Sequence, residues 1–212
     1  MSLDWPSLIR CLDEDGYALL PGLLDAGTVQ QWRRQAKGMG TRLAPLEPGC
    51  GEWLATAGAL PGELGELGDG LYSTLARLAN RWSEELYEPG RYPTGPAGAI
   101  DARLCHLGTG EYLALRQGDG TAALPLRLAI LLACPRNDFT GGEFVVTEQR
   151  PRMQSRATVL PLRQGDAVLF SDGRRPVRNS LGQRYGAGLK HGTSRVRSGQ
   201  RLSLELGFPA GR

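Results

Sequence analysis

The sequence predicts a mainly β fold, a double-stranded β-helix (jelly-roll) barrel with N-terminal supporting α-helices. Three observations predict it. Eight or nine short runs of β-branched, aromatic and aliphatic residues follow one another from Ala102 to Phe208, separated by irregular turns. Glycine (30) and proline (14) are abundant enough to supply those turns. Apolar residues at helical spacing lie N-terminal to Pro89.

At 212 residues, 41% of them apolar, the chain is long enough for one domain with its own core. Residues 1–98 are expected to form helical support and a lid loop, and residues 99–212 the barrel. In order, Pro6 opens a short helix to Asp15 with Leu8, Ile9 and Leu12 on one stripe. Tyr17–Pro21 is a strand. Asp25 caps a helix to about Gly38, with Val29, Trp32 and Ala36 on one side. Residues 38–70, rich in Gly, Pro and single charges, are expected to be a long loop over the barrel mouth. Leu71, Leu75, Leu78, Ala79, Trp82 and Leu86 recur at three and four, giving a core helix from Leu71 to Tyr87. Pro89-Gly90 stops it, and a connector reaches Gly98. Strands are expected at about Ala102–His106, Glu111–Arg116, Leu126–Ala133, Glu143–Thr147, Ala157–Pro161, Ala167–Ser171, Pro176–Arg178, Gly186–Lys190 and Leu202–Phe208.

The net charge of +3 is unevenly spread. Residues 149–212 hold 13 Lys+Arg and 3 Asp+Glu, net +10, whereas the first 148 hold 12 and 19, net −7. A basic half is either a polyanion footprint or a solvated face with structural ion pairs. It predicts at most weak nucleic-acid binding. Cys11, Cys50, Cys105 and Cys134 are widely spaced, without Cys-x-x-Cys, which predicts reduced thiols and a cytoplasmic setting. No apolar run reaches membrane length, so no membrane partner is expected.

The chemistry concentrates in residues 139–201. The stretch opens Phe139-Thr140-Gly141-Gly142-Glu143-Phe144 and continues through Gln164-Gly165-Asp166-Ala167-Val168 to His191. Arg201 follows ten residues later, beyond a Ser198-Gly199 turn. On neighbouring antiparallel strands that spacing aims an imidazole and a guanidinium into one barrel mouth. A metal-capable base beside a carboxylate-binding fork suits an anionic, chelating ligand.

These motifs, in this order, resemble the 2-oxoglutarate/iron(II) oxygenases, and most closely a bacterial branch expected to act on damaged nucleic acid. The resemblance is strong over about residues 100–208 and looser over Leu3–Gln35 and Leu71–Leu86. It implies a jelly-roll barrel, His191 at the distal iron-ligand position, and Arg201 as the residue that binds the far carboxylate of 2-oxoglutarate. The family's first two ligands form a His-x-Asp motif, completing a two-histidine, one-carboxylate face. The run Leu107–Leu115 sets the register, and it places Arg116-Gln117-Gly118 on that motif. Arginine stands at the histidine position and glycine at the aspartate position.

No metal site is therefore expected, and His191 is read as vestigial. Asp119, flanked by Gly118 and Gly120, is the weak substitute carboxylate if a bulge turns it inward. Arg116 cannot bind a metal, being cationic at every relevant pH. It either supplies a fixed positive charge that takes a carboxylate or folds onto an acidic neighbour and plugs the site. The expected cofactor-binding residues are Arg201 and Arg116, holding 2-oxoglutarate or another small carboxylate, with Fe(II) not expected. His191, Arg116, Arg201, Glu143 and Tyr112 are the expected pocket. His106, the other histidine, is read as a strand residue. Three functions stay open: a degenerate oxygenase that binds a carboxylate, an active oxygenase with unconventional ligands, and a metal-free enzyme reusing the pocket.

Overall fold

The computed structural model describes residues 3–36, 41–43, 52–55, 62–89, 91–95, 100–118, 123–149, 155–179 and 181–209. Helix α1 (Trp5–Asp15) is capped by Asp4, whose carboxylate accepts from Ser7 N, with Pro6 in the first turn. Gly16, at φ +79°, ends it in the left-handed conformation. Strand β1 (Tyr17–Leu20) follows, then α2 (Ala26–Ala36), capped as expected by Asp25, which accepts from Thr28 N at 2.8 Å. Strands β2 (Thr41–Leu43) and β3 (Glu52–Ala55) precede the long helix α3 (Gly62–Glu85). The barrel strands are β4 (Asp101–Leu107), β5 (Leu113–Arg116), β6 (Ala123–Leu131), β7 (Phe139–Gly141), β8 (Phe144–Gln149), β9 (Arg156–Leu160), β10 (Ala167–Ser171), β11 (Arg174–Arg178), β12 (Arg184–Thr193), β13 (Val196–Gly199) and β14 (Arg201–Pro209).

One antiparallel sheet runs β1-β10-β6-β14-β4-β3-β2. A second runs β11-β12-β8-β9, with β5 also paired to β12, and β13-β7 form a small third ladder. The mainly β, double-stranded β-helix class is as predicted. The large sheet is covered on one face by the helices, with Leu12, Trp32, Leu75, Trp82, Leu128 and Leu206 in that core. Its other face meets the second sheet through Leu107, Leu131, Phe144, Val146, Phe170 and Leu189, the barrel interior. Trp82 is buried and donates Nε1–H to Asp13 Oδ1 at 2.8 Å, tying α3 to α1.

The expected loop over 38–70 is corrected. Its described parts include two strands that extend the large sheet beyond β4, and the first turns of α3, which begins at Gly62 rather than Leu71. Four of the glycines that suggested a loop, Gly62, Gly65, Gly68 and Gly70, lie inside the helix. Gly68 packs against Ile100, whose Cδ1 a Cβ there would displace. Leu67 continues the apolar stripe one turn upstream of Leu71. The Phe139–Gly141 and Val196–Gly199 strands were not among those expected. Cys11, Cys105 and Cys134 are free thiols, and no helix among the described residues is long and apolar enough to cross a membrane.

Candidate active site

Strand β12 brings His191 to the centre of the barrel. Its Cα partners are Arg116 on β5 and Val146 on β8, so the three side chains share one face. The imidazole is 1% exposed, stacked on Phe144 and tilted against Phe170 at a centroid distance of 4.5 Å. Burial pushes its pKa down to about 3, the Arg116 and Arg127 guanidiniums push the same way, and Asp172 opposes them. His191 is thus neutral at pH 7. Neither ring nitrogen has a hydrogen-bond partner, though Nδ1 lies 3.5 Å from Asp172 Oδ1.

Asp172 follows β10 and is itself buried. Its Oδ1 accepts from Gly118 N at 2.9 Å, and its backbone carbonyl accepts from the same N–H at 3.0 Å. Its Oδ2 accepts from Arg127 Nε on β6. Burial works against the Arg127 charge, and the Asp172 carboxylate overrides it, raising the pKa.

Strand β14 alternates Arg201, Ser203 and Glu205 toward this interior and Leu202, Leu204 and Leu206 toward the helices. Glu205, 3% exposed, takes the Arg116 guanidinium at 2.8 Å. Arg201, 2% exposed, donates Nη1–H to Ser203 Oγ at 2.7 Å, and its Nε has no partner. Burial lowers its pKa, while Cys105, Glu205 and Glu143 pull it back up. The Thr-Gly-Gly-Glu turn makes room for it. Gly141 and Gly142 hold φ of +71° and +63°, and a Cβ on Gly142 would press on Arg201 Cδ at 3.0 Å. Cys105 lies nearby, its thiol pushed up to about 12 by burial, so it is no nucleophile at neutral pH.

The expected residues are thus partly brought together. Arg116 lies beside His191 as its Cα partner, and Arg201 alternates to the same face of β14 as Glu205. Of the two alternatives for Arg116, its guanidinium lies on an acidic neighbour, Glu205. Glu143 is exposed and accepts from the Ser194 hydroxyl, and Tyr112 is half-buried under the Arg195 guanidinium at 5.6 Å. Tyr112 thus faces Arg195, and Glu143 faces Ser194 while its charge also reaches Arg197 and Arg201. His106 alternates to the opposite face of β4 from Cys105. Asp119 lies outside the described residues.

Sequence reasoning missed Arg127, Asp172 and Glu205. For Glu205 a signal existed: polar residues at alternate positions of Arg-Leu-Ser-Leu-Glu in an otherwise apolar strand. Arg127 and Asp172 had none, since their meeting depends on the pairing of β6 with β10.

The resemblance implies iron, and at the two positions it gives to the His-x-Asp motif the chain carries Arg116 and Gly118. Arg116 is a cation in an ion pair. A Cβ at position 118 would lie 2.5 Å from the Asp172 carbonyl oxygen and 2.6 Å from its Oδ2. Among the described residues, no three His, Cys, Asp or Glu side chains converge on one point. At the position that the resemblance gives to the far carboxylate of 2-oxoglutarate stands Arg201, a buried guanidinium with an unpartnered Nε beside the Ser203 hydroxyl.

Fold and interior together define a barrel of the 2-oxoglutarate/iron(II) oxygenase class. Over its full length the chain superposes on a 2OG-Fe(II) oxygenase family oxidoreductase from Burkholderia pseudomallei (TM-score 0.63, 16% identity, 93% of that chain). It also superposes on a Pseudomonas putida prolyl-4-hydroxylase (TM-score 0.57, 15% identity, 98% of this chain and 99% of that one). The chain belongs to the Oxygenase-NA family, described as an oxygenase catalysing oxidative methylation of damaged DNA, whose model matches residues 51–210. It is 37% identical over 150 residues to an uncharacterized protein of Mycobacterium tuberculosis (strain ATCC 25618 / H37Rv), covering 65% of this chain. The match spans 64% of that relative's length.

Proposed function

We propose that this protein has given up iron-dependent hydroxylation and binds a small carboxylate, of which 2-oxoglutarate is the first candidate, in the barrel at Arg201. One observation carries this: the position of the first iron ligand holds Arg116, ion-paired to the buried Glu205. A guanidinium supplies positive charge where a relative would hold a dication, but it offers no lone pair and no redox chemistry. Arg201 keeps the anion seat, and its partnerless Nε is a donor that a carboxylate oxygen satisfies. The protein is read as cytoplasmic and metal-independent.

The test has two parts. Metal analysis of untagged protein is expected to find no stoichiometric iron or manganese, and no succinate should form from 2-oxoglutarate with Fe(II) and ascorbate. Millimolar 2-oxoglutarate is expected to raise Tm by mass action, and Arg201→Ala to abolish the shift. One metal per chain with turnover would replace this reading by that of an active oxygenase.

The family description and the basic C-terminal half favour nucleic acid as a second partner. The expected binding is weak and lost between 50 and 200 mM salt, as phosphate contacts are. Tight, lesion-selective binding at physiological salt would restore the repair function.

A further inference from the structure

We propose that the hollow between α1, α2 and α3 is a second ligand site, for a small neutral aromatic heterocycle whose ring nitrogen or carbonyl oxygen accepts the Trp32 indole N–H. The hollow belongs to the helical side of the large sheet, whereas Arg201 belongs to the barrel side. The proposal therefore stands apart from the carboxylate reading above.

The size is that of a ligand site. The cavity measures about 440 Å³, within the roughly 300–1,000 Å³ of small-molecule pockets. Leu3, Trp5, Leu23, Trp32, Leu67 and Leu71 give it apolar walls from all three helices and the segments that lead into them. Gly70 widens it: a Cβ placed there meets nothing within 4 Å.

The chemistry is set by one buried donor and by the charge of the lining. Trp32 is 5% exposed, and its Nε1 is buried without a hydrogen-bond partner. A buried indole N–H ordinarily finds an acceptor, as Trp82 finds Asp13. Water fills the role poorly, because an ordered water needs about two to four polar partners and the apolar walls supply one donor. A flat apolar ring with an acceptor at its edge satisfies the walls and the donor together. The polar lining residues are Thr28 and the exposed Glu66, and among the described residues no lysine or arginine lines the cavity. A carboxylate would meet Glu66 and no cation, so this ligand is not the anion assigned to Arg201.

Quinoline is the probe, because its ring nitrogen accepts a hydrogen bond and donates none. N-methylquinolinium is its match in shape, with the lone pair blocked. Wild-type protein, isotope-labelled at its indole nitrogens, is titrated with each and followed by NMR, and Trp32→Phe identifies the Trp32 N–H signal. Millimolar quinoline is expected to move that signal saturably, while the Trp82 signal, already committed to Asp13, stays in place. N-methylquinolinium is expected to bind about 3–10-fold more weakly, the worth of one hydrogen bond. Gly70→Leu, which puts a side chain into the hollow, should abolish the shift, and an unchanged Trp82 signal reports that this variant is folded. A Trp32 signal unmoved in the wild type, equal binding of the two probes, or wild-type quinoline binding by folded Gly70→Leu would overturn the proposal.

Discussion

Arg116 on β5 and Glu205 on β14 belong to different sheets and close a 2.8 Å ion pair across the barrel interior. The pair is unequal. Glu205 is 4% exposed at its side chain and Arg116 33% exposed. Deleting one partner of a fully buried pair costs about 3–5 kcal/mol, because a charge is left unpaired. Arg127 also faces Glu205, and solvent reaches Arg116, so Arg116→Ala is expected to cost less, on the order of 2 kcal/mol. Arg116→Met/Glu205→Leu, which removes both charges, should be close to neutral. Urea midpoints of the three proteins check this, and an Arg116→Ala midpoint equal to wild type would mean the pair is idle.

His191 gives the protein an acid-sensitive element. Its folded pKa, about 3, lies below the ordinary 6.5. Between those values the unfolded chain binds a proton that the folded chain refuses. The contribution of His191 is complete above pH 6.5 and falls as the pH drops toward 3, by about 1.4 kcal/mol per pH unit. From pH 6.5 to 5 the wild type should therefore lose about 2 kcal/mol more than His191→Gln. Parallel urea denaturation at the two pH values measures it. Identical pH slopes in the two proteins would place the imidazole outside the buried cluster.

Arg175 joins three elements. Its guanidinium, 1% exposed, donates to the Asp13 and Glu14 carbonyls at the end of α1, at 2.6 and 3.0 Å, and pairs with Glu148 on β8. Losing it strands both a carboxylate and helix-end carbonyls, so Arg175→Ala should cost about 3–5 kcal/mol. Arg175→Lys should recover little of it, because a single ammonium cannot reach all three acceptors as the planar fork does. Thermal denaturation distinguishes the cases, and full rescue by lysine would reduce Arg175 to a point charge.

The glycines of α3 are not equivalent. Gly65 and Gly70 have open space where a Cβ would be, whereas Gly68 abuts Ile100. Alanine at 65 or 70 is expected to stabilise by about 0.5–1 kcal/mol each, the helix-propensity difference. At 68 the gain is offset by displacing Ile100. Melting temperatures of the three single variants rank them, and a gain at 68 as large as at 70 would contradict the close approach.

The sequence by itself determined the mainly β barrel, and its resemblance to the oxygenases implied Arg116 and Gly118 at two of the iron-ligand positions. The barrel is written in local facts, strand alternation and turn glycines, and a chain carries them before it folds. It misled over residues 38–70, where glycine density outweighed a stripe that Leu67 already extended. The tertiary structure alone decided what the replaced site became. Arg116 meets Glu205 across 89 residues, and Gly118 meets Asp172 across 54. Such partners are fixed by which strands pair, in which register, and by the requirement that every charge drawn into the barrel find an opposite one. No spacing along the chain records that requirement, because it arises only when the two sheets close on one another and exclude water.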